Sequence, residues 1–186
     1  LQIVKRPAVT TLEVMCGPIR GRRRTHLLTG YVHKPYPRIY ALLARAAGFD
    51  SALLVRGVEG GTIPSLNQAA RVWQYHDLGE ERESPVHPSE CGISVNHRAV
   101  PLPDDVEGYR RKEDVQVDAK AIAQATARAG RDALDGAAGP AREALVYAGA
   151  LVLCHLGRTD SRAAGAEIVR AALDSKEALQ RLDAAA

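Results

Sequence analysis

The chain has 186 residues, of which 46 % are hydrophobic, so it can bury a real core and is too apolar to be disordered or collagen-like. Its three cysteines, Cys16, Cys91 and Cys154, are far apart and form no CxxC pair, which argues against a disulfide scaffold or zinc site and fits the reducing cytoplasm. Net charge is only +3, but residues 1–56 hold ten Lys and Arg against Glu13 and Asp50, so a polyanion-facing surface is expected there.

Residues 1–6 read as the tail of an element whose upstream part is expected to be missing, since the chain starts at Leu1. Residues 11–15 run into the breaker pair Gly17-Pro18. Arg20, Arg22, Arg23 and Arg24 then fall within five positions, too dense to bury, so they are expected to be exposed or bound to anions. Residues 25–32 (THLLTGYV) read as a strand, 33–37 (HKPYP) as a loop and 38–48 as an amphipathic helix ended by Gly48. Residues 52–58 read as the next strand. Strand, helix and strand at this spacing form a right-handed βαβ unit, which brings the loop of His33 and Lys34 beside the loop of residues 59–65.

The stretch from the end of that strand into the second loop holds Gly57, Gly60 and Gly61, then Pro64. The carboxyl end of a strand in an open α/β sheet is where ligands usually sit, and glycine permits close backbone approach. Residues 71–75 (RVWQY) alternate like a short strand with Trp73 packed. Residues 80–83 (EERE) read as a solvated turn, Pro85 and Pro88 as loop, and 93–103 as holding a further strand. Asp104-Asp105 reads as a solvated pair. The remainder is helical: 117–134, a buried helix from Pro140 to about Leu156 with His155 in its core, a helix capped by Asp160 through Leu173, and a last one capped by Ser175. The apolar stretch at 144–156 is too short to span a bilayer.

No GxSxG, GxGxxG or GxxxxGK[ST] occurs, and the histidines show no metal-ligand spacing. Cys16 is expected to be a buried, inert thiol. What stands out is a basic edge of Arg20, Arg22, Arg23, Arg24, Lys34, Arg38 and Arg56, interleaved with Tyr31 and Tyr36. Arginine binds phosphate in a bidentate way, and a tyrosine face can stack on a base.

Residues 25–37 (THLLTGYVHKPYP) and 48–61 (GFDSALLVRGVEGG) together resemble the anthranilate-phosphoribosyltransferase-like proteins of glycosyltransferase family three, nearest to their nucleic-acid-binding paralogues. Residues 139–146 (GPAREALV) and 171–175 (AALDS) resemble the family's C-terminal helices. The resemblance implies an α/β fold of which this chain is the later part: a mostly parallel central sheet flanked by helices, then three to four C-terminal helices. The family's N-terminal helical domain and phosphate-cradling loop lie upstream and have no equivalent here.

The resemblance also implies an Asp-Glu pair that holds magnesium after the strand at 52–58. The matching positions are Gly61 and Thr62, which cannot replace two carboxylates, and Glu59 is displaced from the family position. Residues 10–14 lack the enzymes' arginine and asparagine.

The expectation is therefore a single α/β domain over 1–186 that binds nucleic acid, DNA or RNA, without sequence preference. It carries no catalytic residue, no metal site and no cofactor. The seven basic residues meet phosphates, and His33, Gly57, Glu59, Gly60 and Gly61 form a ligand loop. A cytoplasmic location, no membrane association and a homodimer as a further option complete it. The alternative is a phosphoribosyltransferase completed by an upstream segment or another chain, which would use magnesium. A structural or assembly role is a third, weaker reading.

Overall fold

The computed structural model describes residues 13–17, 19–101 and 119–185. Two compact units emerge, one of residues up to Ser65 with Ala69–Val86, the other of Leu66–Gln68 with His87–Ala186.

The first unit is built on β1 (His26–Gly30), α1 (Tyr36–Ala46) and β2 (Ser51–Val55). The two strands are parallel, with His26 opposite Ser51 and Gly30 opposite Val55. In β1, Leu27 and Thr29 are buried while His26 and Leu28 are exposed; every residue of β2 is buried. The helix begins two residues before the expected start, because Pro35 already has helical backbone angles and Pro37 fits the first turn. Leu27, Tyr31, Tyr40, Phe49, Leu54 and Tyr75 form the core between helix and sheet. Ala41, Ala44 and Ala52 are fully buried there, and their small side chains let the helix lie close to the strands.

The sheet order is β1-β2-β3-β4, with β3 at Ala70–Tyr75 and β4 at Arg82–Val86. Both later pairs are antiparallel, so the mostly parallel sheet expected from the sequence is confined to β1 and β2. A parallel return needs a crossover, usually a helix. The glycine-rich link after β2 forms only a 3-10 turn at Val58–Gly60, and the short link from Tyr75 to Arg82 permits only a hairpin. β4 also replaces the expected turn and loop around residues 80–85. Its position at the sheet edge tolerates Pro85, which lacks an N–H, and keeps Arg82 and Glu83 in solvent.

The second unit carries four helices, as expected: α2 (Ala119–Leu134), α3 (Pro140–His155), α4 (Arg162–Asp174) and α5 (Glu177–Ala185). α3 is the buried one, with Val146, Tyr147, Ala150, Leu151 and His155 inside. It lies tight on α4: a Cβ at Gly149 would sit 2.7 Å from Val169, and one at Gly165 3.1 Å from the Ala150 backbone. Ser161 rather than Asp160 caps α4, its hydroxyl accepting from the Ala164 amide at 3.1 Å. The Ser175 hydroxyl accepts from the Glu177 amide at 3.4 Å, ahead of α5. Residues 93–101 form no strand: Ile93 is buried, and the segment is a loop tied by the Leu66 amide to the Arg98 carbonyl at 3.0 Å. Asp104 and Asp105 lie outside the described residues. Among the described residues no helix is long and apolar enough to cross a membrane.

Candidate functional site

The carboxyl ends of β1 and β2 open on a cleft of about 430 Å³ in the first unit. Tyr31 and Val32 follow β1, Lys34 comes from the next loop and Arg56 follows β2. Arg71, Trp73 and Glu83 complete it from β3 and β4. The antiparallel course of β3 explains this gathering. It starts where β2 ends, pairing Val72 with Val55 and Trp73 with Leu54, and the Arg56 amide donates to the Arg71 carbonyl at 3.0 Å. Trp73 therefore shares the α1 face of the sheet, with the Arg38 guanidinium 5.7 Å from its ring centre. This is a cation–π contact.

The cleft is basic. Its carboxylate, Glu83, is already held by Arg71 at 2.8 Å. Lys34, Arg38 and Arg56 are exposed, and none joins an ion pair among the described residues. Burial, seconded by the Glu83 carboxylate, raises the Tyr31 pKa. Arg56, Arg71 and a hydrogen bond with Trp73 oppose that. Tyr31 is only 5 % exposed, so it offers no free face to a base. His33 is exposed and Tyr36 half-buried at the start of α1, outside that lining, their ring centres 5.7 Å apart.

The seven basic residues singled out in the sequence do not share one edge. Lys34, Arg38 and Arg56 lie at the carboxyl end of β1. Arg20, Arg22, Arg23 and Arg24 precede β1 and lie at its amino end, about 17 Å away for a five-residue strand. There Arg24 pairs with Asp77 at 2.7 Å, and Arg20 covers the Phe49 ring at 4.9 Å and donates to the Ala47 carbonyl. Arg22 and Arg23 are exposed and join no ion pair among the described residues. A short turn, closed by the Gly21 amide donating to the Thr25 hydroxyl at 3.0 Å, presents them.

The glycine-rich loop is folded on itself. The Gly57 amide donates to Val55, Val58 to Ile63, Gly60 to Gly57 and Gly61 to Val58, all main-chain carbonyls. Those amides are therefore engaged and do not form an anion cradle. The glycines answer to space: a Cβ at Gly57 would fall 1.6 Å from the Gly61 carbonyl oxygen, and one at Gly30 2.2 Å from those of Gly60 and Gly61. At the positions implied for a magnesium-binding pair, Gly61 is exposed and Thr62 half-buried, and neither supplies a carboxylate. Among the described residues no three His, Cys, Asp or Glu gather to hold an ion. This donor set does not fit a hard cation.

Cys16, expected to be buried, is exposed beside the breaker at Gly17. Cys91 is the buried thiol, its pKa pushed up to about 11, first by burial and then by the Glu90 carboxylate.

Sequence reasoning missed Arg71, Trp73 and Glu83. The signal was there in the alternation of residues 71, 73 and 75, but it needs the antiparallel turn-back of β3 to place Arg71 beside Arg56.

No family model matches the sequence. Among solved structures the chain is similar to anthranilate phosphoribosyltransferase from Saccharomyces cerevisiae in complex with 4-fluoroanthranilate, with a TM-score of 0.63 and 16 % identity over 86 % of this chain and 41 % of that one. The same yeast enzyme in complex with PRPP and Mg gives a TM-score of 0.61 at 17 % identity over the same shares. The enzyme from Thermus thermophilus gives 0.53 at 23 % identity, over 83 % of this chain and 40 % of that one. The chain thus spans about two-fifths of the length of the enzymes it matches. At these identities the likeness carries the fold: this α/β chain has the fold of a part of anthranilate phosphoribosyltransferase, the fold implied by residues 25–37 and 48–61.

Proposed function

We propose that this chain binds nucleic acid without sequence preference and acts in the cytoplasm. One observation carries the reading: Arg22, Arg23, Lys34, Arg38 and Arg56 are exposed and outside any ion pair among the described residues, and Lys34 and Arg56 line one cleft with Trp73, over whose ring Arg38 lies. Phosphates neutralise the five cations, and bases rest against the aromatic rings. No catalytic residue, metal or cofactor takes part. The carboxyl end of the parallel strands, where an α/β enzyme holds its substrate, holds part of a polyanion here.

Fluorescent single-stranded DNA titrated at two salt concentrations tests it. Five neutralised phosphates give a log–log salt slope of about −3.5, so affinity falls roughly a hundredfold between 50 and 200 mM salt. Removing Lys34 and Arg56 together as alanines makes the slope shallower by about 1.4. Because Trp73 is the sole tryptophan, its fluorescence reports occupancy of the cleft. Absent binding at low salt, or binding indifferent to salt, overturns the proposal.

A second reading is favoured by the shared fold: a phosphoribosyltransferase completed by another segment or chain. It requires heat on titrating PRPP with magnesium into the chain together with that segment or partner, and a flat calorimetric trace there removes it.

A further inference from the structure

The cations fall in two groups at the two ends of β1, and β1 is the last strand on its side of the sheet among the described residues. The Thr25 carbonyl accepts from Asp50 and the Tyr31 amide donates to Val55, so residues 25, 27, 29 and 31 turn their backbone toward β2. By the alternation of a parallel pair, His26 and Leu28 turn theirs to the open side. Their side chains are exposed as well, Leu28 at 41 %. Among the described residues nothing pairs with that side, so a row of N–H and C=O groups runs along it from the Arg22 and Arg23 end to the Lys34 end.

We infer that a single strand of nucleic acid lies along the open edge of β1, bridging the arginine turn and the aromatic cleft. This rests on the proposed binding function and adds a path and a length. Charge complementarity selects the occupant, since both ends of the edge are cationic. Stacked nucleotides advance about 3.4 Å each, and an extended strand covers roughly twice that. Bridging about 17 Å and seating a phosphate at both ends therefore takes about five to seven nucleotides. A trinucleotide reaches one end only.

The experiment compares labelled oligothymidylates of three and fifteen nucleotides. For the fifteen-mer, the double substitution Arg22→Glu, Arg23→Glu weakens binding at least tenfold, and the trimer, seated at the aromatic cleft, is unaffected. Leu28→Glu, which places a negative charge midway, weakens the fifteen-mer in the same way, and Leu28→Gln does not. Circular dichroism checks that the variants fold; the arginine pair, which is exposed, tests the path even where Leu28→Glu does not. Equal losses for both lengths overturn the path. So does light scattering that finds a dimer broken by Leu28→Glu with fifteen-mer affinity unchanged, since the edge then pairs with a second copy of the chain. If the unaltered protein binds neither length, the binding function itself fails.

Discussion

Tyr75 is 1 % exposed, and its hydroxyl donates to the Phe49 carbonyl at 2.9 Å. Burial pushes its pKa up to about 12, with Arg45 opposing and Asp50 assisting. An unfolded tyrosine ionises near 10. The folded state therefore holds the proton more tightly, and this contribution is complete below about pH 10 and fades as pH rises through about 12. Tyr75→Phe is expected to cost about 1 kcal/mol at neutral pH by leaving the Phe49 carbonyl without its donor. It should also flatten the loss of stability between pH 10 and 12, which urea unfolding at pH 8 and pH 11 measures. At this scale the sequence was legible where a residue's own chemistry decides its place. The arginines of residues 20–24 had to be exposed, and they are. It was illegible where a neighbour decides: Arg24 finds Asp77 and Arg20 finds Phe49, partners more than twenty residues away.

Gly57 and Gly130 differ in what surrounds them, although both are single glycines in a helix or loop. Gly57 has φ −80° and ψ 165°, angles open to any residue, so only the 1.6 Å approach to the Gly61 carbonyl oxygen forbids a side chain. Gly130 lies within α2 with nothing within 4 Å of its would-be Cβ. Gly57→Ala should destabilise by about 1–3 kcal/mol or more as the loop is forced off Gly30. Gly130→Ala should stabilise by about 0.5–1 kcal/mol through backbone entropy. Opposite signs in thermal melts distinguish packing from backbone freedom, and a neutral Gly57→Ala would mean that the loop opens readily enough to receive a ligand. The βαβ unit and the C-terminal helices could be read from periodicity and breakers, because those signals are local. β4 could not: its charges and Pro85 look like loop, and only pairing with β3 makes them a strand.

The exposed cations of the proposed interface belong to one of the two compact units, along with Trp73, while α2 to α5 belong to the other. Trp73 emission therefore follows unfolding of the first unit, and far-ultraviolet circular dichroism follows mainly the helices of the second. A ligand stabilises only what it binds, by about 2.7 kcal/mol at a hundred times its dissociation constant. For a unit of fewer than a hundred residues that corresponds to about 10 °C or more in melting temperature. A saturating oligonucleotide should raise the tryptophan-detected midpoint by that amount and leave the helical signal nearly unmoved if the units melt independently. Should both signals rise together, the chain unfolds as the single domain its length suggests, with nucleic acid still bound to the basic part. A tryptophan midpoint that stays fixed while the oligonucleotide binds would move the interface away from the cleft and its cations.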